Sequence, residues 1–195
     1  MRGVPPGIRH VIFDYGGTLA DLPFPLTMFR RFSPTSTLGS GEVRAPHFLQ
    51  RQARKFGYPV AARLFRPVAG LHEVLQELRD RGYRLHVLSN NSSILPLQLE
   101  VIGVTGYFDT VSWSEEMGFE KPDPRIFQLA LERIGATAAE TVYVGDSFEA
   151  DVLGPRGAGI TPIHADFRRR RTEGTHLRVE SFPELLGLLA PLPPV

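Results

Sequence analysis

The sequence predicts an α/β protein built on a Rossmann-like, mainly parallel sheet of five strands with helices on both faces. Three observations carry that expectation. Segments rich in β-forming residues recur at 10–14, 84–89, 110–113, 141–145 and 159–164, and the first of them is a continuous apolar run. Unbroken apolarity, as opposed to alternation, marks strands covered on both sides. Segments with helical spacing lie between these runs, and such alternation folds through right-handed crossovers into a parallel sheet.

The elements follow in order. The run His10-Val11-Ile12-Phe13-Asp14 opens the chain and leads into the turn Tyr15-Gly16-Gly17-Thr18-Leu19. A helix over 71–81 sets Leu71, Val74, Leu75 and Leu78 on one stripe and stops at Gly82. Helices over 94–102 and 124–134 come next; Asp123 is placed to cap the second, and Pro124 suits its first turn. Helices at 148–158 and 182–189 complete the set, and 191–195 is a fraying tail.

Residues 20–66 break the alternation, so the expected organisation is a core of 1–19 and 67–195 with a small cap inserted between. The insertion holds prolines, glycines and a Ser/Thr-rich patch at 33–41, then a helix at 46–56 and a second at 60–65. Because it follows the first strand and turn directly, it is expected over the sheet mouth as a lid. Its basic residues, Arg30, Arg31, Arg44, Arg51, Arg54, Lys55, Arg63 and Arg66, face only Asp21 and Glu42 in opposition. Such a charge surplus either draws in anionic substrates or is a solvated helix face.

Composition narrows the function classes. A chain of 195 residues, 42% hydrophobic and 22% charged, is an ordinary globular α/β domain with room for a modest insertion. A net charge of +1 argues against nucleic acid as the main partner. No apolar stretch approaches the ~20 residues of a membrane span. The first eight residues lack a signal pattern, which sets a cytoplasmic expectation. The absence of cysteine excludes disulfides, thiolate zinc sites and cysteine nucleophiles together. Only Lys55 and Lys121 are lysine, and only Asn90 and Asn91 are asparagine. Lys121 and Asn90 are therefore rare residues standing inside motifs.

Four motifs lie at strand ends or in the loops after them, on the sheet edge where open α/β folds bind ligands. They are Asp14-Tyr15-Gly16-Gly17-Thr18, Ser89-Asn90, Lys121-Pro122-Asp123, and Gly145-Asp146-Ser147 with Asp151 beyond it. Asp14, Asp146 and Asp151 gathered together repel by about 4 kcal/mol per pair at about 4 Å with an effective dielectric near 20. They require cations. Magnesium, which takes hard oxygen ligands and keeps several waters, fits such a set. The Ser89 hydroxyl, the Asn90 amide and the glycine turn at Gly17 and Thr18 are suited to phosphate oxygens.

In this order the motifs resemble the haloacid dehalogenase superfamily, in its phosphatase-like branch with a small helical cap after the first strand. The resemblance runs from about Val11 to Ile163. It implies that Asp14 is both nucleophile and metal ligand, forming an aspartyl-phosphate that water then opens. It further implies that Ser89 and Lys121 hold the phosphoryl group, and that Asp146, Asp151 and the Gly16 carbonyl complete a Mg2+ site. The implied partner is a small phosphorylated metabolite; monomer and dimer both remain open.

One position departs from that pattern. Phosphatases of the family usually carry a second aspartate two residues after the nucleophile, where it protonates the leaving alkoxide. This chain has Gly16 there. Losing a general acid/base typically costs about 10²–10⁴ in rate. Replacement donors in the insertion are His47 and Tyr58. Two other readings stay open: a phospho-ligand binding protein with little or no turnover, and an enzyme like the phosphonoacetaldehyde hydrolases using Lys55 as its Schiff-base lysine.

Overall fold

A computed structural model describes residues 3–21, 65–168 and 176–193 of the chain. Strand β1 spans His10–Phe13, and the short strands β2 (Ala20–Asp21) and β3 (Arg66–Pro67) follow. Helix α1 (Leu71–Asp80), strand β4 (Arg84–Ser89) and helix α2 (Leu95–Val101) form the next unit. Then come β5 (Thr110–Trp113), α3 (Ser114–Met117), α4 (Pro124–Ile134) and β6 (Thr141–Gly145). The chain closes with α5 (Gly154–Gly157), β7 (Thr161–Ala165), β8 (Leu177–Val179) and α6 (Leu185–Leu188).

The main sheet has six strands in the order β5-β4-β1-β6-β7-β8, every pair parallel. This is the expected doubly covered parallel sheet, with β1 at its centre. Period-two alternation along β1 explains the two layers. Val11 and Phe13 join one core cluster with Leu71, Leu75, Leu95 and Leu185; Ile12 joins a second with Leu88, Ile126, Phe127 and Tyr143. Each fully buried aliphatic or aromatic side chain contributes about 1.5–3 kcal/mol relative to exposure. The crossover helices α1 and α4 therefore clamp opposite faces of the strand that carries Asp14.

Several details differ from the sequence expectation. The sheet has a sixth strand, β8, whose three residues, with Arg178 at the centre, are too short for a periodic signal. β7 runs through Ala165, not from Gly159 to His164, which leaves His164 inside the strand. The single helix expected at 148–158 is a π-helical stretch, Phe148–Leu153, followed by α5. The one expected at 182–189 opens as a 3₁₀ turn, Phe182–Glu184, before α6. Helices α1 and α2 differ from expectation only at their ends.

β2 and β3 pair antiparallel, Ala20 with Pro67 and Asp21 with Arg66. The chain thus leaves and re-enters the core side by side, at the edges of the expected insertion. The lid helices expected at 46–56 and 60–65, with His47, Lys55 and Tyr58, lie outside the described residues, apart from Phe65. Among the described residues no helix is long and apolar enough to cross a membrane.

Candidate active site

Asp14 is the first residue after β1, and its amide donates to the Val144 carbonyl at 2.8 Å, extending the β1–β6 ladder by one step. Its side chain projects from the carboxyl edge of the sheet's central strand and is buried. The glycine turn wraps beside it: Gly17 donates to Ala20 at 2.7 Å, and Leu19 and Ala20 donate back to Tyr15. Gly17 has φ +83, and a Cβ there would lie 2.3 Å from Asp146 Oδ2. Only glycine combines that backbone with so close a carboxylate.

The second acid comes from the β6 edge. Asp146 follows β6 directly, and the π-helical stretch after Ser147 carries Asp151 back over Gly145. A Cβ on Gly145 would meet the Asp151 Cβ at 2.4 Å, so the missing side chain makes room for the acid. Ser147 and Asp151 close the loop reciprocally. The Ser147 amide donates to Asp151 Oδ2 at 3.0 Å, and the Asp151 amide donates to the Ser147 carbonyl at 2.8 Å. Oxygens of Asp14, Asp146 and Asp151 all lie within 4.8 Å of one another. The sequence reading named these three, and the fold brings them together.

Lys121 sits among them. Its Nζ donates to Asp14 Oδ1 at 2.9 Å, to Asp151 Oδ1 at 2.6 Å and to the Tyr143 hydroxyl at 2.7 Å. An ammonium has three protons, and all three are committed. Burial alone would push the Lys121 pKa down; the charges of Asp14 and Asp151 more than reverse this and hold it well above the ordinary lysine value. Burial pushes Asp151 the other way, up to about 6, despite the lysine beside it. Two carboxylates crowded around one buried cation leave negative charge uncompensated. A hard divalent cation fits that deficit, and oxygen is the donor it requires.

Ser89 ends β4, buried at the same sheet edge, and Asn90 follows it. The Asn90 side chain makes a two-point clamp on Lys121: its Nδ2 donates to the Lys121 carbonyl at 2.9 Å, and its Oδ1 accepts from the Lys121 amide at 2.8 Å. The peptide between Lys121 and Pro122 is cis. Asp123 caps α4, accepting from the Arg125 amide at 2.9 Å. Gly16 is half-buried in the turn. Thr18 is fully buried, and its hydroxyl meets no hydrogen-bond partner.

Two contributors escape sequence reasoning. Tyr143, buried in β6, accepts from Lys121 and donates to the Leu88 carbonyl at 2.7 Å. Burial pushes its pKa well above the ordinary tyrosine value, so the phenol keeps its proton. His164, in β7, donates from Nε2 to the Asp146 carbonyl at 3.2 Å, and its Nδ1 lies 3.1 Å from His176 Nε2. A hydroxyl and an imidazole inside otherwise apolar strands near the motif-bearing edge were the available signals.

An acid-lined cleft at the carboxyl edge of a parallel sheet, with a buried lysine bridging its carboxylates, defines a hydrolase-type α/β site. The family model of the haloacid dehalogenase-like hydrolases matches residues 26–159, and the chain belongs to that family. Glyceraldehyde 3-phosphate phosphatase from Methanothermobacter thermautotrophicus is 37% identical over 115 residues, which cover 58% of this chain and 51% of that protein. Ribulose-1,5-bisphosphate 5-phosphatase from Halopiger xanaduensis is 39% identical over 95 residues, covering 48% and 40% respectively. The chain thus spans about half the length, or less, of these curated relatives. In fold it is similar to a HAD phosphatase from Thermococcus onnurineus, with a TM-score of 0.74 at 24% identity over 94% of this chain and 99% of that one.

Proposed function

We propose that this chain is a Mg2+-dependent phosphatase of small phosphorylated metabolites, working through an aspartyl-phosphate on Asp14. The observation that carries the reading is the cluster of Asp14, Asp146 and Asp151 oxygens, two of whose carboxylates, those of Asp14 and Asp151, share the Lys121 ammonium. Relatives named for glyceraldehyde 3-phosphate and ribulose bisphosphate chemistry support the substrate class. Asp14, Asp146, Asp151 and the Gly16 carbonyl would hold the cation, which when bound offsets carboxylate charge and draws electron density from the phosphoryl oxygens.

The chain's own residues do the rest. Lys121 holds Asp14 through Oδ1, which leaves the other carboxylate oxygen for in-line attack on phosphorus. As that O–P bond forms, the bond from phosphorus to the ester oxygen breaks, and the alkoxide departs as the alcohol on taking a proton from water, since Gly16 offers none. The Ser89 hydroxyl and the Asn90 backbone amide orient the phosphoryl oxygens; the amides of Gly17 and Thr18, expected in that role, are turned to the Ala20 and Tyr15 carbonyls. Water then attacks the phosphorus, releasing phosphate and restoring the Asp14 carboxylate. Lys121 keeps Asp14 and Asp151 in register throughout, and reaches a phosphoryl oxygen only by giving up one of its present partners.

Gly16 favours a second reading, a phospho-ligand binder with little turnover, because no carboxyl stands there to protonate the leaving group. Phosphate release from p-nitrophenyl phosphate with and without Mg2+ separates the two. Release that disappears with EDTA and with Asp14→Asn is expected; binding without release overturns the enzymatic reading.

A further inference from the structure

Beside the acid cluster lies a cavity of about 150 Å³. Gly17 and Asp146 form the wall it shares with the candidate active site; Asp166, Phe167 and Arg168, just past β7, form the opposite wall, and Asp21 closes it from the stem of the insertion. The space suits a short polar fragment.

The charges lining it are not equivalent. Asp146 belongs to the acid cluster. Asp166 is buried and paired with Arg178 at 3.0 Å, an arginine anchored in β8. Arg168 is different: its Nη2 contacts Asp21 Oδ1, and both side chains remain about one-third exposed. A guanidinium has five N–H donors in a planar fork, and a single carboxylate oxygen engages few of them. An exposed pair of this kind contributes little to stability. Asp21 is thus a partner that a better-placed anion replaces at little cost.

We propose that this cavity receives the departing portion of a short-chain phosphate ester, and that Arg168 reads a second anionic group on it, such as a carboxylate, by exchanging Asp21 for that group. The proposal rests on the phosphatase reading of the neighbouring acids and names its substrate class: two- to four-carbon monophosphates with an anionic tail. The geometry assigns opposite roles to the two residues. Arg168 attracts the tail, while Asp21 competes with it.

The test is direct binding, measured by calorimetry in the presence of Mg2+, with two hydrolysis-resistant probes of similar length. One is 3-phosphonopropionate, which carries a carboxylate tail; the other is propylphosphonate, which does not. The wild-type chain should bind the carboxylate probe at least tenfold more tightly. Arg168→Gln should abolish that preference, and Asp21→Asn should increase it. A salt bridge that merely braces the stem would make both substitutions shift the preference in the same direction, or neither, and either result overturns the proposal. Equal binding of both probes by the wild-type chain overturns the subsite while leaving the phosphatase reading intact. If neither probe binds, the subsite and the underlying reading fall together.

Discussion

Replacing Lys121 with methionine keeps the volume of the buried chain and removes its charge. The ammonium lies 2.9 Å from Asp14 and 2.6 Å from Asp151, and all three side chains are less than a tenth exposed. At an effective dielectric near 20, each contact is worth about 6 kcal/mol of gross attraction. Desolvating the lysine offsets much of that, and removing one partner from a buried ion pair typically costs about 3–5 kcal/mol. A domain with about 5–15 kcal/mol of total stability feels such a loss strongly. With a urea slope of about 2 kcal/mol per molar, the unfolding midpoint of Lys121→Met should fall by about 2 M in metal-free buffer. Saturating Mg2+ should recover more stability in the variant than in the wild-type chain, because the cation then carries charge that the lysine no longer offsets. An unchanged midpoint without metal would refute this reasoning: it would mean that Asp14 and Asp151 are not both ionised around the lysine.

Gly17→Ala should lower magnesium affinity by about 10–100-fold in a calorimetric titration, since the added methyl enters the space of the Asp146 carboxylate. The left-handed backbone there adds about 1–2 kcal/mol of strain. Gly16→Asp should raise the hydrolysis of alkyl phosphates by at least tenfold more than that of aryl phosphates, whose leaving groups need little protonation; equal gains, or none, count against a missing general acid. Acid should destabilise the fold through the stacked pair His10 and His86, whose facing nitrogens are 3.1 Å apart. Burial lowers the His86 pKa to about 4, so below pH 6.5 the unfolded chain takes up a proton that the folded one refuses. Stability is then lost as pH falls from about 6.5 to 4, by up to about 3 kcal/mol, and His86→Leu should flatten that part of a chemical-denaturation pH profile.

The sheet was legible because its strands are rich in β-forming residues, and because the helices between them carry a clean stripe, as α1 does at Leu71, Val74, Leu75 and Leu78. Asp14 and Asp146 were legible because each stands where a strand stops, and Asp151 because it follows Asp146 five residues on within the same motif. What sequence could not supply is direction. Asn90 stood out as a rare residue whose backbone amide suits phosphate, and the structure adds a side-chain role that spacing does not show, the clamp on both backbone groups of Lys121. Thr18 is expected as a ligand contact, and its hydroxyl is buried. Tyr143 and His164 were hidden because a single polar atom in an apolar strand does not disturb the hydrophobic pattern. The π-helical turn at Phe148–Leu153 was equally invisible, since spacing alone does not separate a widened turn from an α-helical one.

Charge balance joins the candidate site to the cavity beside it. Three carboxylates against one ammonium leave two negative charges, and one divalent cation brings the sum to zero. A phosphate monoester dianion therefore enters a pocket whose summed charge is zero and is held there by the placement of individual charges and dipoles. A further charge-dependent contribution, for a second anionic group, comes from outside the cluster. Among the described residues Arg168 is the cation lining the cavity that can supply it, since the Arg178 guanidinium is engaged with buried Asp166 and with Glu180. On this argument the acid cluster supplies chemistry common to phosphate esters, and the carboxyl edge of β7 selects among them. Affinity for an anionic-tailed ligand should therefore fall with rising ionic strength more steeply in the wild-type chain than in Arg168→Gln, a comparison that a calorimetric salt series makes directly.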